Sequence, residues 1–150
     1  MAMIIGLSIC NICNKHNSNS EYLIHESDDL IVSHMPPSPE HPEVYLGYCF
    51  IESKKHITDI SLLSDAQAQL IGLWTKKLSQ AHTLLFKAER TYYFKFADIT
   101  PHFHVHLYPR HPGTPKDLIG EAVRFWPDGP KADSEKIKKI CKEMSLFFKH

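Results

Sequence analysis

The sequence predicts an α+β domain: a mainly antiparallel five-stranded sheet with one long helix packed on it and a C-terminal helix. Three observations carry that expectation. Short runs rich in β-branched and aromatic residues fill the first third of the chain, and one long stretch then repeats its apolar residues at three- and four-residue steps. Two further extended runs precede a second helical stretch. The 150 residues, 43% hydrophobic, suffice for a single domain over 1–150 with a core of its own.

Glu21 to His25 and Leu30 to Met35 read as two strands joined by the turn-forming Ser27-Asp28-Asp29. The prolines at 36, 37, 39 and 42 then exclude helix and central strand, since each lacks an amide donor and fixes φ. Beyond that loop, Val44 to Ile51 reads as a buried strand. Ser64 opens the long helix: its hydroxyl can cap the first turn while Gln67 reaches back, and Leu62 and Leu63 supply an apolar staple. Ala66, Leu70, Leu73, Trp74, Leu78, Ala81, Leu85 and Ala88 form its expected apolar stripe. Thr91 to Ala97 and His102 to Tyr108 read as two more strands, with Pro101 tolerable at a strand start. A last helix is expected near 134–148, starting at Asp133 or Ser134 and burying Ile137, Ile140, Cys141, Met144 and Phe148.

Basic and acidic residues balance at 17 each, so the chain lacks the excess of positive charge that would bind a nucleic-acid polymer or an anionic membrane unspecifically. Phosphate binding must then be local. No apolar run approaches the ~20 residues of a bilayer span. Met1 to Cys10 is too broken and too poor in basic residues for an export signal, which points to the cytoplasm. In that setting the four cysteines, Cys10, Cys13, Cys49 and Cys141, do not read as a disulfide framework. Eleven histidines suggest site chemistry instead.

In an extended strand alternate side chains share a face, so His102, His104 and His106 line one side of their run while Phe103, Val105 and Leu107 line the other. One face is thus expected against a core and the other in an imidazole-lined cleft; the bland alternative is a solvated polar face. Cys10-Asn11-Ile12-Cys13 has the spacing of a metal-gripping pair. Two small apolar fillers or a redox dithiol fit the same residues, although the dithiol lacks its β-α-β context.

The run H-F-H-V-H-L-Y-P-R from His102 to Arg110 resembles the histidine-triad superfamily. Gly47-Tyr48-Cys49-Phe50-Ile51-Glu52-Ser53-Lys54-Lys55-His56 looks like that family's glycine, apolar strand and basic-basic-histidine run. The similarity extends over 10–113, leaving 116–150 as a C-terminal extension outside any recognised motif. The resemblance implies a homodimer and a structural zinc on Cys10, Cys13, His56 and His102, as in the family's zinc-binding members. It also makes His104 the nucleophile of a nucleotide hydrolase or transferase that cleaves at the α-phosphate through a nucleotidyl-histidine, with His106 donating to phosphate oxygens. Dinucleoside polyphosphates, nucleoside phosphoramidates and adenylates are the implied substrates.

The chain departs from the family at several substrate positions. Asp98 shares strand parity with His102 and is expected to face the cleft, with Thr100 to protonate or hydrogen-bond the leaving group. The resemblance puts His34 where an acidic ribose grip is usual and Tyr48 where a histidine often stands. Arg110 offers a further phosphate donor through its planar fork, a solvated surface arginine being the alternative. Phe50 and Tyr48 with the proline-rich loop are expected to bound a base pocket. These departures motivate a second class of function, a nucleotide-binding or zinc-stabilised interaction module without turnover.

Overall fold

A computed structural model describes residues 10–16 and 21–149; most of the N-terminal segment read above for export lies outside them. The elements in chain order are α1 (Asn11–His16), β1 (Leu23–Glu26), β2 (Leu30–His34), β3 (Val44–Tyr45), β4 (Cys49–Ser53), α2 (Asp65–Phe86), β5 (Arg90–Phe94), β6 (His104–Arg110), β7 (Lys131–Ala132) and α3 (Ser134–Phe147). Five strands form an antiparallel sheet in the order β1-β2-β4-β6-β5, and β3 pairs with β7 in a separate two-stranded ribbon. This is the expected α+β architecture.

The sheet is chemically sorted. Leu30 and Val32 of β2, Cys49 and Ile51 of β4, and Val105 and Leu107 of β6 join Trp74, Leu78 and Ala81 of α2 and Ile137, Ile140 and Met144 of α3 in one core. The alternate residues, Phe50 and Glu52 of β4 and His104, His106 and Tyr108 of β6, share the opposite face. Both helices begin as their sequences dictate. Ser64 and Gln67 form the reciprocal capping box of α2, and the Asp133 carboxylate caps the Lys136 amide in α3.

Four details differ from the sequence reading. The buried face of α2 is Ile71, Trp74, Leu78, Ala81 and His82, whereas Ala66, Leu73 and Leu85 are exposed. A polar residue, His82, occupies a core position, and its polarity drew the expected stripe around the helix. Residues 44–51 are not one strand: Gly47 sits at φ 86, where an added Cβ would lie 2.6 Å from the Pro109 ring and 2.9 Å from Phe86. Val44 and Tyr45 therefore turn away to pair with Lys131 and Ala132. Ala97 at φ 60 follows the early end of β5 at Phe94, and β6 starts only at His104. Short 3₁₀ turns at 116–118 and 121–125 shape the extension.

Three buried histidines surround the Gly47 turn. The Gly47 amide donates to His34 Nε2 (3.0 Å) while His34 Nδ1 donates to the Met35 carbonyl (2.9 Å). His111 Nε2 donates to the Leu46 carbonyl (2.9 Å), and His82 Nδ1 lies 3.0 Å from the Thr91 hydroxyl. Burial holds His34 down to about 4 and His82 down to about 3. A second proton on His34 would break its bond to Gly47. Both folded values lie below the ordinary ~6.5, so the stability these neutral rings confer is complete above that pH and is lost as pH falls through 6.5 towards 4. Urea unfolding should accordingly show a falling midpoint from pH 7 to 4.5, with about two protons taken up on unfolding near pH 5; a flat midpoint would exclude this role.

Candidate active site and metal centre

Cross-strand pairing builds the sheet face on which the sequence predicts the cleft. His104 lies opposite Glu52 and His106 opposite Phe50 on one side, while Phe94 and Tyr92 of β5 oppose His106 and Tyr108 on the other. The His104 and His106 rings are 4.7 Å apart between centroids. His104 Nδ1 donates to its neighbour's carbonyl, that of His102, at 2.6 Å. In the neutral ring that bond leaves the lone pair on the second nitrogen, Nε2. A neutral imidazole oriented this way, 9% exposed, can act as a nucleophile through Nε2.

His102 precedes the strand and does a different job. Its Nε2 donates to the Ser53 carbonyl (2.6 Å), which turns the Nδ1 lone pair towards two sulfurs, Cys10 Sγ and Cys13 Sγ, each 3.4 Å away. His56 Nδ1 is likewise 3.4 Å from Cys13 Sγ. These four ligand atoms all lie within 4.8 Å of one another. A tetrahedral zinc with its usual bond lengths spaces its ligands by roughly 3.3–3.8 Å, so the cluster fits such an ion. A carbonyl holding the far nitrogen of a ligating histidine is the supporting contact such sites use. In the metal-free thiol pair, burial and the neighbouring Cys10 push the Cys13 thiol up.

One turn of helix joins this cluster to the cleft. The last two residues of α1, Lys15 and His16, both reach Glu52, His16 Nε2 at 2.6 Å from Oε2 and the Lys15 ammonium on Oε1. Glu52 is 1% exposed; burial pushes its carboxyl up, but His16 and Lys15 outweigh it and hold it below its ordinary value. Lys15 also lies 5.1 Å over the Phe50 ring. The only sequence signal for this ion cluster was an acidic residue interrupting the apolar run of β4.

The predicted substrate residues scatter. Tyr48 does reach the cleft, its hydroxyl 2.8 Å from His106 Nδ1. His34 does not: it pairs with the core residue Cys49, is fully buried and has both nitrogens bonded internally, so it cannot grip a ribose. Its neighbour Ser33 pairs with Phe50 and so faces the cleft, where its hydroxyl is buried without a partner among the described residues. Among those residues His16 Nδ1, by Glu52, is likewise without one. Asp98 is exposed in the loop beyond Ala97, so the strand parity that was to aim it at the phosphate does not exist there. Thr100 is half-buried and its carbonyl accepts from the His102 amide (2.8 Å). Arg110 is bound at the far end of β6, Nε 3.2 Å from the Glu89 carboxylate and Nη1 donating to the Tyr92 hydroxyl at 3.2 Å. The guanidinium beside the cleft is instead Arg124, which donates to the Tyr108 hydroxyl at 2.9 Å from a segment no sequence motif marked.

No protein-family model and no curated protein matches the sequence. Solved structures do match. A zinc-bound histidine-triad family protein from Mycobacterium smegmatis superposes with a TM-score of 0.66 at 14% identity, covering 95% of this chain and 96% of that one. A histidine-triad nucleotide-binding protein from Sulfolobus tokodaii gives 0.63 at 19% identity over 95% and 93%. The diadenosine triphosphate hydrolase of Plasmodium falciparum gives 0.61 at 10% identity over 87% and 78%. The fold is that of the histidine-triad proteins. At these identities the likeness is one of fold, and the roles of single residues rest on the geometry of this chain.

The contrast between two neighbours on β2 can be measured. Ser33→Ala removes a buried hydroxyl with no partner and should leave thermal stability unchanged or raised by up to ~1 kcal/mol. His34→Ala strands the Gly47 amide and opens a cavity, so it should cost roughly 2–4 kcal/mol in urea unfolding. Equal losses in the two variants would contradict the assigned orientations.

Proposed function

We propose that the protein is a histidine-triad nucleotide hydrolase or nucleotidyl transferase that cleaves at the α-phosphate. The observation that carries this reading is the hydrogen bond from His104 Nδ1 to the His102 carbonyl, which in the neutral ring leaves Nε2 to attack. Attack by that nitrogen on phosphorus forms a nucleotidyl-histidine and expels the group beyond it; water or another acceptor then releases the nucleotide. His106, on the same face, is placed to donate to phosphate oxygens as charge develops. The orphaned Ser33 hydroxyl and the aromatic Phe50 fit the sugar and base side of a nucleotide. Dinucleoside polyphosphates, phosphoramidates and adenylates remain the candidate substrates.

Cys10, Cys13, His56 and His102 would hold a structural zinc, supported by the convergence of their ligand atoms. Four protein ligands leave no open coordination position, so the metal would stabilise the fold and tether α1 without generating the nucleophile. A homodimer is supported by the outer edge of β5, unpaired among the described residues and flanked by Tyr93 (65% exposed), Phe96 (49%) and Ile99 (98%). No helix of the described residues is long and apolar enough to cross a membrane, in keeping with the cytoplasmic location we assign.

The alternative, a nucleotide-binding or interaction module without turnover, is favoured by one observation: Asp98, His34 and Arg110 are all absent from the cleft. Covalent trapping separates the readings. Incubation with mass-tagged nucleotide should leave an acid-labile adduct on His104 that His104→Ala lacks, whereas binding with no adduct and no hydrolysis selects the module. Elemental analysis should find one zinc per chain, and Cys13→Ser should lose it with a large fall in melting temperature, since such sites supply on the order of 10 kcal/mol. A zinc-free, fully stable wild type would remove the metal from the account.

A further inference from the structure

The second imidazole of the cleft is wired to the C-terminal segment. Arg124 Nη1 donates to the Tyr108 hydroxyl at 2.9 Å, and a guanidinium has no acceptor to offer in return. The proton of Tyr108 must therefore pass onward, to Tyr48 or to His106 Nδ1, 3.5 Å away. The Tyr48 hydroxyl lies 2.8 Å from the same Nδ1. Burial raises both phenols above their ordinary values, so each keeps its proton at neutral pH. Every proton in this chain points away from the arginine and ends on Nδ1, leaving His106 neutral with its single N–H at Nε2.

The groups around His106 enforce that state. Phe50 and Phe94 pair with it across β4 and β5, His104 lies beside it, and Tyr48, Tyr108 and Arg124 close its Nδ1 side. The Glu52 carboxylate is taken by Lys15 and His16. Burial, with His104 and Arg124 adding to it, holds His106 down to about 4. The ring can bond a phosphoryl oxygen, but it has no labile proton to give a departing group. Arg124, by contrast, has N–H groups beyond the one given to Tyr108: its Nη2 bonds the half-exposed Glu121 carboxylate at 2.9 Å and carries a second proton.

We propose that Tyr48 and Arg124 specialise this cleft for a leaving group that departs as an anion, so that its substrates are nucleotide phosphoanhydrides and not phosphoramidates. The inference rests on the nucleotidyl-transfer reading and narrows it. His104 Nε2 forms its bond to the α-phosphorus as the bond to the bridging oxygen breaks. The electron pair leaves on that oxygen as a phosphate anion, drawn by Arg124, and no proton changes hands. Water then attacks phosphorus, the N–P bond breaks back to His104, and a proton is released to solvent with the nucleoside monophosphate. An amine leaving group would need a proton on nitrogen that a neutral His106 does not supply.

The test measures kcat/KM on the full chain, from pH 5 to 9, with diadenosine triphosphate and with adenosine 5′-phosphoramidate. The wild type should favour the anhydride by roughly 100-fold or more, the scale of a missing general acid. Arg124→Gln should lose roughly tenfold on the anhydride, the worth of a bond to a charged group, and stay within about twofold on the phosphoramidate. Arg124→Lys, which keeps the charge, should retain most of the preference. Tyr48→Phe should lower kcat with little change in KM, because His106 loses the bond that holds Nδ1 as acceptor and its single N–H at Nε2. Equal or faster turnover of the phosphoramidate, an Arg124→Gln loss shared by both substrates, or an unchanged Tyr48→Phe kcat would overturn the proposal while a His104 adduct leaves the broader reading intact. A wild type that turns over neither substrate and forms no adduct would remove both.

Discussion

The carbonyl of His102 accepts the Nδ1 proton of His104, and the rest of the site is arranged around keeping that carbonyl where it is. The residue is pinned at three points: its amide donates to the Thr100 carbonyl, its ring donates to the Ser53 carbonyl, and its other ring nitrogen faces the two cysteine sulfurs. The adjacent Phe103 adds backbone bonds to Ile57 and Ser53. A peptide unit fixed this firmly sets the tautomer of the next imidazole without a carboxylate, the group more often used to orient a histidine. Ring orientation and the tautomer of the neutral form are thus set by one backbone oxygen.

Two walls of opposite origin flank the imidazoles. On one side α1 lays Lys15 and His16 over Glu52 and Phe50, so the wall depends on the segment that carries the cysteine pair. On the other, the 3₁₀ turn at 121–125 packs Val123 against Tyr108 and Tyr45, and brings Arg124 over the Tyr108 ring. Each wall carries a cation, while the sheet between them contributes aromatic rings and neutral imidazoles. Positive charge is therefore confined to the cleft margins, as the chain's overall neutrality requires of any anion site it builds.

How much of this was legible in the sequence follows from the range of the signals. The alternation in His104 to Leu107 and the Ser64–Gln67 cap are local patterns, and both elements form as read. The four metal-ligand positions came from the family resemblance, and the fold brings all four together. The failures have separate causes. All five residues of β2 are buried, so polarity does not distinguish its two faces, and a shift of one residue exchanged Ser33 for His34. Ala97 in the left-handed region ends the parity on which Asp98 was placed, although alanine gives no warning of such a turn. Arg124 lies in a stretch with no periodicity, and the two-residue strands β3 and β7 are too short to announce themselves.

That short ribbon has a consequence for how the molecule is made. By clasping Val44 and Tyr45, β7 delivers α3 to the sheet, where Ile137, Ile140 and Met144 complete the same core that α2 begins. A nascent chain cannot close this core until Met144 has cleared the ribosomal exit tunnel, by which time the histidine strand has long been outside. Throughout that interval the apolar side of β6 and β4 stands half covered, and a chain cut short within α3 yields a product fit for chaperones and proteases instead of a smaller folded domain.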